Sequence, residues 1–231
     1  MTAEPVIKIC GITSEADALL AAGFGADALG FIFAPSPRQM TPSAVSDIVK
    51  RVPAEVLTVG VFRDESPRRV VEIANTVGLG AVQLHGHESI EDVQWVAARV
   101  PCTIKAFAAG EAAIARFEEF GCDFLLIDGT SPGSGDVFDW RLAEGVVDHR
   151  RLFVSGGLTP DNVARAIVRL HPHGVDVATG VELAPGEKDP KKLADFVAEV
   201  RRAATLVAAE HPDPNNRDDD DPAPYDWVID R

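Results

Sequence analysis

Apolar and polar positions along this chain follow two alternating rhythms. Short runs rich in β-branched and aromatic residues recur at Val6–Cys10, Ala28–Phe33, Leu57–Phe62, Ala81–Leu84, Thr103–Phe107, Phe124–Ile127, Leu152–Ser155 and Val175–Ala178, and these predict eight strands. Between them the apolar period lengthens to that of a helix, as in Ser14–Ala22, Arg68–Val77, Ile90–Val100 and Leu193–Val200. Thr41-Pro42, Ser66-Pro67, Thr159-Pro160 and Asp189-Pro190 each place a capping residue before a proline, which predicts an N-cap and first helical position at each pair. The sixth predicted helix, Trp140–Val147, is short. Strand and helix therefore alternate along the chain, and near-continuous apolar strands imply a parallel sheet covered on its outer face. The pattern predicts an α/β fold, a single-domain (β/α)8 barrel over residues 1–205; an open doubly wound sheet is the other arrangement compatible with it.

Strand alternation assigns side chains to the two faces of the sheet. On the first strand Ile7 and Ile9 are expected to face the helices, leaving Lys8 and Cys10 inside the barrel. By the same test Gln83, His85, Lys105, Asp128 and Asp176 point inward, because a charge facing the helix layer would be penalised. First and last strands are neighbours in a closed barrel, so Lys8 and Asp176 can pair. Such a pair either serves structure alone or belongs to a charge network that tunes a site.

Composition narrows the function classes. The chain has 231 residues with a formal net charge of −14, which argues against a nucleic-acid partner, since phosphate binding needs clustered Lys and Arg. No apolar run is long enough to span a bilayer, and Met1–Pro5 lacks the features of a signal peptide, so a cytoplasmic protein with no membrane partner is expected. Cys10, Cys102 and Cys122 form no CxxC pair, which speaks against a zinc site or a disulfide scaffold. Residues 206–231 are expected to be an acidic, disordered tail, because His211–Arg231 is rich in Pro, Asn and Asp and cannot bury much apolar surface.

Candidate chemistry gathers at the carboxyl ends of the strands. Gly156-Gly157 follows the seventh strand and Thr179-Gly180-Val181 the eighth, where (β/α)8 enzymes commonly bind phosphate through backbone N–H groups. A phosphorylated small-molecule substrate follows. Cys10 ends its strand beside an inward lysine, which would favour the thiolate and suit it to act as a base or a nucleophile. Cys102 and Cys122 stand at the opposite ends of theirs and are expected to be inert. Asp128 closes the apolar run Phe124–Ile127 and delivers a carboxyl group to the same face as Cys10, so an acid and a base could flank one substrate. Arg38, after Ala34-Pro35-Ser36-Pro37, could grip a carboxylate bidentately; Gln83 points inward, and His85 either is satisfied within the structure or lines the site. His149, His171 and His173 fall in helix-to-strand connections at the far face, and Trp95, Trp140 and Trp227 read as packing residues.

The ordered motifs Lys8-Ile9-Cys10-Gly11-Ile12-Thr13, Gly30-Phe31-Ile32-Phe33 with Ser36-Pro37-Arg38, Val82-Gln83-Leu84-His85-Gly86, Leu126-Ile127-Asp128, Gly133-Ser134-Gly135, Ser155-Gly156-Gly157-Leu158 and Gly180-Val181-Glu182 are similar to those of the phosphoribosylanthranilate isomerase family of tryptophan biosynthesis. The likeness runs from about Val6 to Val200. It implies a (β/α)8 fold and an Amadori rearrangement with no metal and no organic cofactor. By the resemblance Cys10 is the general base, Asp128 the general acid and Arg38 the ligand of the anthranilate carboxylate; Lys8, Gln83, His85 and Asp176, inward by strand alternation, are the further residues expected around the substrate. Gly156, Gly157, Thr179, Gly180 and Val181 would hold its phosphate, in a monomer or a homodimer. Thr179, Pro132 and Arg63-Asp64 depart from the family pattern. The remaining alternatives are a related barrel acting on another aminated sugar phosphate and a non-catalytic phosphometabolite binder.

Overall fold

The computed structural model describes residues 4–129 and 151–210. The strands β1 (Val6–Cys10), β2 (Ala28–Ile32), β3 (Leu57–Phe62), β4 (Ala81–Leu84), β5 (Thr103–Ala108), β6 (Phe124–Asp128), β7 (Leu152–Val154) and β8 (Gly174–Val177) close into a barrel in sequence order. Every neighbouring pair is parallel, and β1 meets β8 with Lys8 opposite Asp176. The open doubly wound sheet is thereby excluded. Predicted and observed strand ends coincide for β1, β3 and β4 and differ by one residue in the others, the usual scatter at element boundaries.

Two apolar layers follow from the strand alternation. Ala28, Val59, Ala81, Ile104, Ala106, Leu126 and Phe153 fill the barrel interior. Ile7, Ile9, Leu29, Phe31, Leu125, Ile127 and Val175 join the larger layer between barrel and helices. Helices α1 (Glu15–Phe24), α2 (Pro42–Val49), α3 (Pro67–Val77), α4 (Ile90–Ala97), α5 (Val163–Leu170) and α6 (Pro190–Glu210) cover the outside, with a 3-10 segment at Ala112–Phe120. The caps explain most of the helix starts. Ser14, Thr41 and Ser89 each accept from a backbone N–H three residues on, and Asp189 Oδ1 accepts from the N–H groups of Lys191 and Lys192.

The structure corrects two expectations, at Lys105 and at Thr159-Pro160. Lys105 does not enter the barrel: Ile104 and Ala106 do, and Lys105 points outward with Phe107. Its charge is satisfied there by Glu88 at 2.9 Å and by the carbonyls of Gly86 and Ala106 at 2.7 and 3.0 Å, so the penalty assumed for an outward charge does not arise. Thr159-Pro160 opens a turn rather than a helix. Asn162 Oδ1 accepts from Thr159 N–H, and α5 starts at Val163. At Ser66 the proline is in place but the serine side chain makes no cap hydrogen bond. Helix α6 continues to Glu210 with Val207 buried, past the expected boundary at 205. The predicted helix Trp140–Val147, Pro132, the Gly133-Ser134-Gly135 motif, His149, Trp140, Trp227 and the segment His211–Arg231 lie outside the described residues. No helix among the described residues is long and apolar enough to cross a membrane.

Candidate active site

The carboxyl ends of the strands open onto a cavity of about 630 Å³. Cys10 from β1, Gln83 and His85 from β4 and its following loop, Asp128 from β6 and Asp176 from β8 all border it, together with Arg38, Gly156, Gly157, Thr179 and Gly180. Two of the expected residues do not. Lys8 is fully buried beneath the site, and Val181 is buried in the outer apolar layer.

Lys8 and Asp176 pair at 2.7 Å, as strand adjacency predicts, and Asp176 Oδ2 accepts from Ser155 Oγ at 3.4 Å. Burial lowers the Lys8 pKa, but the charges of Asp176 and Cys10 outweigh it and leave the ammonium above its ordinary value. Cys10 contradicts the expectation of a favoured thiolate. Burial raises its thiol, Asp176 adds to that, and the opposing charges of Lys8 and Lys188 do not overcome the two. In the free protein the Cys10 thiol is therefore held above the ordinary thiol range. Cys102 and Cys122, before β5 and β6, are pushed up to about 11 by burial and lie at the amino-terminal end of the barrel, in keeping with inert thiols.

Asp128 is fixed at both oxygens: Gly129 N–H donates to Oδ1 at 2.8 Å, and His85 Nε2 lies 3.2 Å from Oδ2. His85 Nδ1 is in turn 2.8 Å from Gln83 Nε2. With the Gln83 amide as donor, His85 carries its proton on Nε2 and presents it to Asp128. His173 stacks on Phe124 with ring centroids 4.7 Å apart, and His171 forms the C-cap of α5. Trp95 packs under the Arg99 guanidinium at 4.0 Å.

Around the expected phosphate loops, glycine is required by space. At Gly180 a Cβ would collide with the Leu158 carbonyl oxygen, and Gly156, at φ +81°, would place one 2.8 Å from Asp128 Oδ1. The loops after β7 and β8 thus pass in direct contact beside the cavity, as the Gly180 and Leu158 approach shows.

Arg38 is not a free loop arginine. Its Nε donates to Glu182 Oε1 at 2.8 Å and its Nη2 to Glu182 Oε2 at 2.5 Å, with a longer contact from Nη2 to Thr179 Oγ1 at 3.4 Å. Glu182 also accepts from Lys188 Nζ at 2.9 Å, and that ammonium donates to the Cys10 carbonyl at 2.6 Å. Burial would raise the Glu182 carboxyl, but the hydrogen bonds from Arg38 and Lys188 hold it below the usual carboxylate range. Sequence reasoning assigned no role to Glu182 or Lys188. Glu182 appeared only as the last residue of the Gly180-Val181-Glu182 motif, and Lys188 follows the Pro185-Gly186 turn, where a lysine ordinarily reads as solvated. Arg63, His87 and Glu111 also border the cavity unforeseen. Among the described residues no group of three or more His, Cys, Asp or Glu side chains is placed to hold a metal ion.

Residues 7–199 match the family model described as N-(5'phosphoribosyl)anthranilate (PRA) isomerase. The chain is 47% identical over 205 residues to the N-(5'-phosphoribosyl)anthranilate isomerase of Desulforudis audaxviator, covering 86% of this chain and 98% of that protein. The fold superposes on the phosphoribosyl anthranilate isomerase of Thermus thermophilus with a TM-score of 0.79 at 37% identity, over 85% of this chain and 98% of the other. A third relative, a phosphoribosyl anthranilate isomerase in complex with reduced 1-(o-carboxyphenylamino)-1-deoxyribulose 5-phosphate, aligns with a TM-score of 0.76 at 38% identity, over 86% of this chain and 99% of its own. With the family model spanning the barrel from β1 into α6, the chain belongs to the N-(5'-phosphoribosyl)anthranilate isomerase family.

Proposed function

We propose that the protein converts N-(5-phosphoribosyl)anthranilate into 1-(2-carboxyphenylamino)-1-deoxyribulose 5-phosphate, an acid-base isomerisation of an aminated aldose to a ketose in tryptophan biosynthesis. The observation that carries the reading is the convergence of Cys10 and Asp128 on one cavity, with Arg38 and the Gly156-Gly157 and Gly180 backbone on the same wall. The relative that binds a reduced form of the product supplies the class of ligand: a phosphorylated sugar bearing a carboxyphenylamino group.

Each residue has a defined task. Asp128, in its acid form, protonates the furanose ring oxygen. The bond from that oxygen to C1 breaks, and the anilino nitrogen lone pair forms the C=N bond of a protonated Schiff base. Cys10, as thiolate, takes the proton from C2; the C–H electrons become the C1=C2 bond and the C=N π pair returns to nitrogen. The resulting enolamine loses its hydroxyl proton as C1 gains one, giving the aminoketone, and proton exchange restores Asp128 and Cys10. The thiol must ionise against its buried setting, and Lys8 beside it is the charge that opposes burial most. Arg38 holds the ring carboxylate through the donors that Glu182 leaves free, and the glycine loops receive the phosphate.

The decisive assay generates phosphoribosylanthranilate in situ and follows the loss of its fluorescence on adding the purified protein. First-order decay dependent on protein concentration is expected. An unchanged trace alongside an active control isomerase would overturn the reading.

A further inference from the structure

We propose that Glu182 is a positioning residue for the reaction: it clamps the Arg38 guanidinium in one orientation at the cavity wall and, through Lys188, ties that orientation to the backbone of Cys10. The inference rests on the isomerase reading and names the element that sets its substrate contact.

Arg38, Glu182 and Lys188 are all buried, at 8%, 6% and 2% exposure. Two cations share one carboxylate, so the cluster keeps a surplus positive charge away from water. Such a charge is costly unless an anion meets it, and the Arg38 edge that borders the cavity is where one can arrive. Glu182 fixes that edge. Its two oxygens take Nε and Nη2 at 2.8 and 2.5 Å, which prevents rotation of the guanidinium plane and leaves Nη1 as the unbound nitrogen.

Glu182 is itself immobilised. It sits on β9 (Glu182–Ala184), which pairs antiparallel with β10 (Glu187–Lys188). Gly186 of this hairpin accepts from Thr13 Oγ1 at 2.5 Å, Lys188 N–H reaches Asp17 at 3.4 Å, and Lys192 Nζ donates to the Glu182 carbonyl at 2.8 Å. Lys188 Nζ completes the link, with Glu182 Oε1 on one side and the carbonyl of Cys10 on the other. The hairpin thus joins the base-bearing strand end to the arginine in one chain of hydrogen bonds. A positional error at Arg38 of the size that loss of this clamp permits would weaken a carboxylate contact without removing either acid or base.

A double-mutant cycle tests this on the full chain, with steady-state kinetics for wild type, Glu182→Gln, Arg38→Ala and the double variant. The expected result is a KM for phosphoribosylanthranilate raised about tenfold by Glu182→Gln, a kcat changed less than about threefold, and almost no further change when Arg38 is already alanine. Additive effects in the two backgrounds, or a fall in kcat with KM unchanged, would overturn the proposal. Should Glu182→Gln fail to fold, Glu182→Asp is carried through the same cycle, because its shorter side chain cannot span Arg38 and Lys188 together. Should wild type show no turnover, the isomerase reading fails, and titration of anthranilate into the same proteins decides the clamp on Kd. Weakening by Glu182→Gln only where Arg38 is present supports it, and equal weakening in both backgrounds overturns it.

Discussion

His85 Nε2 lies 3.2 Å from Asp128 Oδ2, and the imidazole is itself braced by Gln83 at 2.8 Å. An acid that must release a proton toward a ring oxygen needs a fixed direction, and the Gly129 N–H at 2.8 Å fixes its other oxygen. Asp128→Asn should therefore lower kcat by at least about a hundredfold, the usual contribution of a positioned acid. His85→Ala should cost less, because it acts through Asp128, and should add almost nothing to Asp128→Asn. Near-normal turnover of Asp128→Asn would remove the carboxyl group from the mechanism.

Cys10 makes the opposite demand on its surroundings, which its burial resists. With the thiol held high, the fraction of free enzyme carrying thiolate grows as pH rises, so kcat/KM should climb with pH toward the thiol's pKa. Asp176 raises that pKa and Lys8 lowers it. Asp176→Asn should accordingly move the climb to lower pH and Lys8→Met to higher pH. Profiles that coincide with wild type, or shifts of reversed sign, would show that another group supplies the base. Cys10→Ser, with a far weaker acid at the same place, should lose at least about a hundredfold in turnover at every pH.

Legibility in the sequence followed how local each feature is. Lys8, Cys10, Asp128 and Asp176 were readable because period-two alternation puts them opposite apolar neighbours such as Ile7, Ile9 and Ile127. The number of strands followed from their repetition, but repetition fits an open sheet as well, and the pairing of β1 with β8 is what closes the barrel. Lys105 was misread because its partner, Glu88, comes from the loop after β4, and no pattern within β5 announces it. The clamp on Arg38 was illegible for the same reason. Its carboxylate lies 144 residues away, and the Gly180-Val181-Glu182 motif that contains it says nothing of a partner on the loop after β2. The Cys10 titration went wrong for a different cause: sequence places the charges nearby but does not reveal how completely the site is dehydrated.

The misread pair carries its own prediction. Lys105 and Glu88 are 2.9 Å apart with side chains 2% and 5% exposed, and Glu88 also accepts from the N–H groups of Asp64 and Gly86. Glu88→Gln leaves a buried ammonium with carbonyl partners only, and breaking such a pair typically costs about 3–5 kcal/mol. The carbonyls of Gly86 and Ala106 stay in place, so a loss near the lower end is expected, read as a melting temperature several degrees below wild type. Lys105→Met in the Glu88→Gln background should recover part of that loss by removing the stranded charge. If Glu88→Gln melts with wild type, the pair contributes nothing to stability and the loops after β3 and β4 are held by other contacts.

At the end of the cavity formed by the loops after β7 and β8 the constraint is steric. A methyl group at Gly180 has nowhere to go, because the Leu158 carbonyl oxygen already occupies its position. Gly180→Ala must push the loop after β8 away from the loop after β7, parting the backbone surfaces expected to receive the phosphate. The barrel core is untouched, since Gly180 borders the cavity rather than either apolar layer. Inorganic phosphate, tested as a competitive inhibitor, isolates this contact from the rest of the substrate. Its inhibition constant should rise about tenfold or more in Gly180→Ala, the equivalent of losing one or two charge-assisted hydrogen bonds. KM should rise in parallel, and the acid limb of the pH profile should stay where Cys10 sets it. Unchanged inhibition by phosphate would place the phosphate elsewhere in the mouth of the barrel, and Arg63, which also borders the cavity, would be the next cation to replace.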